Sequence, residues 1–201
     1  MRSKSKESAS CATPSSRKSS PLAVGSPSNG GAQVAQEPAV YYVGLGSNLG
    51  DRCRNLAQAV HLLSRCEGVQ VSRRSSLYDS APIGPEQPRY LNAVVEVRTT
   101  LKPMELLRAC KAIEKQLGRE DSGRWGPRSI DLDLLFSDAI VAEPALQVPH
   151  LQLHKRAFAL APLCELDPEL RHPILRSPLR LLLNDVSEQD VHRVGDFYVD
   201  C

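Results

Sequence analysis

An α+β sandwich with an antiparallel sheet is the fold this sequence predicts, on three observations. Apolar residues recur at strand spacing in four stretches and at helical spacing in two, in the order strand, helix, strand, strand, helix, strand. Two of those strands follow one another with no helix between them, which a doubly wound parallel sheet does not allow. The glycines after the first strand fall at 44, 46 and 50, out of the G-x-G-x-x-G register of a dinucleotide-binding turn. The order is the split βαβ pattern of a ferredoxin-like sandwich, βαββαβ, with additional C-terminal helices.

Residues 1–38 are rich in Ser, Pro, Gly and Ala and hold no aromatic residue. They cannot offset the entropy of ordering, so a disordered basic tail is expected there and the folded domain is 39–201. Val40 to Leu45 reads as the first strand, and Gly44, Gly46, Ser47, Asn48 and Gly50 as the turn after it. Asp51 caps a helix striped by Leu56, Ala59, Val60 and Leu63 that ends near Gly68. A second strand is expected over Val69 to Tyr78, and the three prolines and glycine of Asp79 to Pro88 make a stiff loop. Tyr90 to Val97 alternates, with Tyr90, Asn92, Val94 and Glu96 on one face. Thr100 and Pro103 open a second helix with Leu106, Cys110, Ile113 and Leu117 inward, closed by Gly118. The fourth strand is Ser129 to Phe136. Helices follow at Lys155 to Leu166, bent or broken at Pro162, and near Leu179 to Val186, before a polar C-terminal end.

The stretch R-W-G-P-R-S-I-D-L-D at 124–133 carries the chemistry. On a strand, Asp131 and Asp133 share one face while Ile130, Leu132 and Leu134 point into a core. Their Cα atoms lie about 6.5–7 Å apart, close enough to grip hard cations between the carboxylates. Arg124 and Arg128 stand just before them, so the stretch outlines a polyphosphate site. A solvated D-x-D face is the plainer alternative, and the arginines and Trp125 weigh against it.

The net charge of +2 is uneven: residues 1–38 hold five bases against two acids, leaving −1 for the remainder. A near-neutral domain with few aromatics does not suit a nucleic-acid binder such as an RNA-recognition module. No apolar run is long enough to span a membrane. The six cysteines show no C-x-x-C pair, which fits reduced thiols and a cytoplasmic protein, with organelle targeting by the basic tail as the lesser alternative. The P-loop and protein-kinase signatures are absent.

With these residues in view, the chain resembles the 6-hydroxymethyl-7,8-dihydropterin pyrophosphokinase family of folate biosynthesis. The resemblance rests on G-L-G-S-N-L-G at 44–50, A-P-I-G-P at 81–85, Y-L-N-A at 90–93, I-E-K-Q-L-G-R at 113–119, the 124–133 stretch, and V-P-H at 148–150 with Arg156 and Phe158 beyond. It implies a ferredoxin-like fold and transfer of pyrophosphate from ATP to the hydroxymethyl oxygen of the pterin, releasing AMP. It also implies two Mg²⁺ ions on Asp131 and Asp133. Arg119, Arg124, Arg128, His150 and Arg156 would face the triphosphate, with Glu114, Leu134 and Trp125 also on the ATP side. Tyr90 and Phe158 would sandwich the pterin and Asn92 would bond its edge, with Ser80, Ala81, Pro82, Ile83 and Trp125 completing that pocket. The partners implied are these two small molecules, with no nucleic acid and no membrane, and a monofunctional monomer is expected. The chain departs from the family pattern in carrying Glu120 and Asp121 in a short 119–124 loop, and Leu151 after His150.

Overall fold

The computed structural model describes residues 37–119 and 126–198. The expected tail therefore lies almost wholly outside the described residues, as do Arg124 and Trp125.

Strand β1 (Ala39–Ser47) runs antiparallel to both β4 (Tyr90–Thr99) and β5 (Asp131–Ser137). Strands β2 (Val69–Arg74) and β3 (Leu77–Ser80) both pair with β4, so the core order is β5-β1-β4 followed by β2 and β3. Helices α1 (Arg52–Ser64) and α2 (Pro103–Gln116) occupy the two crossovers. This is the ferredoxin-like arrangement that the element order predicts.

The expected caps recur as local chemistry. Asp51 accepts the Arg54 amide at 3.1 Å, and Pro103 opens α2 while Glu105 accepts the Lys102 amide at 2.8 Å. Gly68 and Gly118, which follow the two helices, take φ of 73° and 74°, a conformation that costs a side-chain-bearing residue energy.

Two cores lie on opposite faces of the sheet. Leu91, Ala93, Val95 and Val97 of β4, with Val43, Leu132 and Leu134, pack under α1 and α2. On the other face Tyr42, Val94, Leu135 and Phe136 pack under α3 (Ala157–Leu166) and α4 (Leu179–Asn184). The strict alternation of β5 is interrupted between Leu134 and Phe136, where the register to β1 shifts. Leu135 and Phe136 consequently both serve the second core, a β-bulge.

The structure corrects five expectations. Gly44 and Gly46 belong to β1 rather than to a turn. The expected second strand is two strands, because Ser75 and Ser76 leave the ladder: the Ser75 hydroxyl accepts the Val94 amide at 2.9 Å, and Glu165 takes the Ser76 amide at 3.1 Å. Strand β3 continues to Ser80, inside the expected loop. The helix expected from Lys155 is a 3₁₀ turn at Leu153–Lys155 followed by α3, which runs on through Pro162. The polar C-terminal end holds strand β8 (Val191–Gly195), which pairs with β3 and extends the sheet. A hairpin of β6 (Val141–Glu143) and β7 (Leu146–Val148) also lies between β5 and His150.

Candidate active site

Helices α3 and α4 cover only part of the second face, and the remainder is a cavity of about 580 Å³. Its floor is strand β1 at Gly44 and Gly46. A Cβ on Gly44 would stand 2.7 Å from Leu135 Cδ1, and one on Gly46 would stand 3.3 Å from Asn92 Oδ1. Side chains there would crowd the cavity; glycine keeps the floor bare.

At one end of the cavity β5 presents Asp131 and Asp133 side by side, as period-two spacing requires. Asp131 is fully engaged, with Arg119 at 2.6 Å and Arg128 at 2.8 Å on its two oxygens. Burial pushes its carboxyl upward, but Arg119, Lys111 and Arg128 together outweigh that and hold it below the usual carboxylate range. Asp133 has a looser partner, Lys111 at 3.8 Å. Burial, reinforced by the Asp131 charge, pushes Asp133 above the usual range.

Behind the acids, Glu114 takes Lys111 at 2.7 Å, Arg119 at 2.5 Å and the Leu132 amide at 2.7 Å. It is 3 % exposed and its carboxylate is saturated, so it braces β5 and Arg119 and does not line the cavity. Leu134, expected on the ATP side, turns its side chain into the core under α1 and α2.

The other end of the cavity is lined by Ser80, Ala81, Ile83, Tyr90, Asn92 and Phe158. The Asn92 Nδ2 donates to Ser80 Oγ at 2.9 Å, which fixes the amide and turns Oδ1 toward Gly46. Pro82 connects two lining residues without lining the cavity itself. Arg156 also lines it, with its guanidinium 5.8 Å above the Phe158 ring. His150 follows a cis Val148–Pro149 bond. Its amide donates to the Leu135 carbonyl at 2.9 Å, at the bulge, and its Nδ1 accepts the Gln152 amide at 3.1 Å. The neutral ring therefore carries its proton on Nε2. Burial lowers the His150 pKa, and Asp133 opposes that shift.

Three contributors have no signal in the local sequence pattern. Asn48, 2 % exposed, accepts the Arg128 amide at 2.7 Å and donates to Gln87 Oε1 at 3.0 Å and the Pro88 carbonyl at 3.2 Å. It ties the loop on the Tyr90 side to the loop bearing Arg128. Gln87 lines the cavity and accepts from the Tyr90 hydroxyl at 3.3 Å. Lys111 joins Glu114 to Asp133. The contacts that join Asn48 to Gln87 and Arg128, and Lys111 to Asp133, span distant parts of the chain, where spacing rules do not reach.

Among the described residues no group of three or more His, Cys, Asp or Glu converges as a metal cage. The chemistry of the acid pair suits a hard cation that keeps water and phosphate ligands, as Mg²⁺ does, and not a closed zinc site. No helix among these residues is long and apolar enough to cross a membrane.

Comparison with known proteins places these features in context. A family profile described as 7,8-dihydro-6-hydroxymethylpterin-pyrophosphokinase (HPPK) matches residues 42–168. The 2-amino-4-hydroxy-6-hydroxymethyldihydropteridine pyrophosphokinase of Aquifex aeolicus is 42 % identical over 144 residues, covering 71 % of this chain and 89 % of that one. The Bacillus subtilis protein of the same name is 46 % identical over 129 residues, covering 63 % and 77 %. The folic acid synthesis protein fol1 of Schizosaccharomyces pombe is 38 % identical over 79 % of this chain, which spans only 22 % of that protein's length. A crystal structure of Plasmodium falciparum HPPK-DHPS superposes with a TM-score of 0.62 at 16 % identity, over 76 % of this chain and 46 % of that one, a likeness of fold.

Proposed function

Because the chain belongs to the 7,8-dihydro-6-hydroxymethylpterin-pyrophosphokinase family, we propose that its cavity binds ATP and 6-hydroxymethyl-7,8-dihydropterin end to end and moves pyrophosphate between them. It is a diphosphokinase of folate biosynthesis, giving the pterin diphosphate and AMP. The observation that carries the site assignment is that one cavity holds both the Asp131–Asp133 pair and the Tyr90, Asn92 and Phe158 set.

The pterin is flat, with an edge of alternating donors and acceptors. Tyr90 and Phe158 offer it aromatic faces, and the Asn92 amide, held by Ser80, offers its edge a fixed partner. The bare strand at Gly44 and Gly46 gives the ring room. At the other end, Asp131 and Asp133 would hold Mg²⁺, of which we propose two ions, and these would supply charge neutralisation for the triphosphate. Arg119 and Arg128, which rest on Asp131, then turn to the phosphate oxygens, and Arg156 with the neutral His150 donates to them. Positioning and charge neutralisation supply most of the rate. Adenine lies along the outer edge of β5, where Glu114 holds the main chain and Leu134 offers its backbone. We assign Arg124 and Trp125, outside the described residues, to the same site.

The domain in this reading is residues 39–201, the protein works as a monomer in the cytoplasm, and residues 1–38 are dispensable. The relatives from Pisum sativum and Arabidopsis thaliana are named as mitochondrial, so a targeting role for the tail is the alternative.

The test is to follow AMP from ATP and Mg²⁺ with and without the pterin. AMP is expected only when the pterin is present. Asp133→Ala should lower turnover on the order of 10³-fold with melting unchanged within a few degrees; turnover near that of the unaltered chain refutes the assignment of the acids.

A further inference from the structure

Gln189 and Asp190 stand beyond residues 42–168, the part that matches the family profile, in the turn between α4 and β8. Both reach the cavity wall from behind. The Gln189 amide brackets Arg156: its Oε1 accepts the Ala157 amide at 3.0 Å and its Nε2 donates to the Lys155 carbonyl at 2.8 Å. The two main-chain groups flanking Arg156 are thus fixed by one side chain, two residues from Phe158.

Asp190 holds the opposite wall. Its carbonyl accepts the Ala81 amide at 3.0 Å, at the first foot of the 81–89 loop. Its carboxylate takes two nitrogens of Arg89, at 2.5 and 3.2 Å, at the second foot. Arg89 is shared with Asp79, which also takes Arg52 at 3.0 Å, and Arg52 in turn donates to the Arg89 carbonyl at 2.9 Å. His192 reaches the same Asp190 carboxylate at 2.7 Å. Adjacent residues therefore join the loop that carries Ala81 and Ile83 to Arg156 and the first turn of α3, which carries Phe158.

We propose that Gln189 and Asp190 are positioning residues that set the width of the pterin end of the cavity by clipping its two walls together. This rests on the pterin reading given above. Two walls from segments about 75 residues apart have no covalent reason to keep a ring-width spacing, and β8 pairing with β3 anchors the clip beside the loop it holds. Binding geometry loose by a fraction of an ångström lowers affinity for a rigid planar ligand more than for a flexible polyphosphate held by charge.

The experiment compares the full chain, Gln189→Ala/Asp190→Ala, Asp190→Ala, Asp190→Glu, and Leu182→Ala. The last removes apolar packing from α4 in the second core and controls for general loosening. In the double variant the KM for 6-hydroxymethyl-7,8-dihydropterin should rise roughly tenfold, while the KM for ATP stays within about twofold. Asp190→Glu should recover part of the loss seen for Asp190→Ala. Amide exchange measured without substrates should quicken in 81–89 and 155–158 of the double variant and not in α1. Unaltered exchange in both segments overturns the clip. Faster exchange with a pterin KM no higher than in Leu182→Ala overturns the positioning role. An unaltered chain that makes no AMP overturns the pterin reading itself, and exchange still decides whether the clip exists.

Discussion

Glu96 shows how a single residue sets the acid limit of this fold. Its carboxylate is 3 % exposed on the second face of β4, where an uncompensated charge would be costly. Ser72 donates to it at 2.6 Å, Arg73 Nε at 2.7 Å and the Tyr42 hydroxyl at 3.4 Å. Burial raises its pKa, but Ser72 and Arg73 outweigh that, and the folded value lies below the ordinary one. A depressed carboxylate stabilises fully above its unfolded pKa, about 4.3, and loses that contribution as the pH falls through the folded value. Urea unfolding from pH 6 to pH 3.5 should therefore show Glu96→Gln less stable by about 1–3 kcal/mol at pH 6, with the difference shrinking toward pH 3.5. A pH-independent difference would rule out the charge as its source. Tyr42 beside it is pushed up to about 12, by burial first and by the Glu96 charge second, and remains a neutral donor.

At the scale of elements, the loops around the cavity depend on residues that belong to neither. Asn48, at the end of β1, holds Arg128 on one side and Gln87 and Pro88 on the other. Asn48→Ala leaves these groups without their buried partner and should cost about 1–3 kcal/mol. It should also raise the KM for both substrates, because both loops are released; an effect confined to one substrate would show that the tie is not shared. The acid pair was legible in the sequence because period two on a strand needs only neighbouring residues. The same alternation puts Tyr90 and Asn92 on one face of β4, while their assignment to the pterin comes from the family resemblance. Asn48, Gln87 and Lys111 were not legible, since what they do is decided by contacts as distant as 80 residues in the Asn48–Arg128 bond. Leu134 and Glu114, which the family resemblance puts on the ATP side, stand on and behind β5 rather than in the cavity lining: the pleat sends the Leu134 side chain into the core, and Lys111, Arg119 and the Leu132 amide occupy the Glu114 carboxylate. The break after β2 and the strand β8 also escaped the pattern, because serine side chains interrupted one ladder and a polar, exposed edge strand lacks the apolar alternation that announces the others.

For the molecule as a whole, two cores on opposite faces hold the sheet rigid while the cavity shares the second face with α3 and α4. The loop at 81–89, between β3 and β4, forms the rim of that cavity at Ala81, Ile83 and Gln87. Ile83, 47 % exposed at the cavity rim, is an apolar side chain without cover, and its burial over a bound ring would favour closure. Hydrogen exchange with an ATP analogue and the pterin together should slow the 81–89 loop markedly more than either ligand alone and leave α1 and α2 unchanged. Exchange in that loop that ignores the ligands would mean the site reacts open.

The bulge at Leu135 ties the acids to a fixed place along their strand. Both Leu135 and Phe136 are sunk in one core, and the freed Leu135 carbonyl anchors His150, so the segment from Asp131 to Phe136 behaves as a ruler with both ends pinned. Losing or gaining one residue between those pins would carry the carboxylates through the sheet to its opposite side. Along this stretch, spacing is guarded more strictly than the choice of any one apolar side chain.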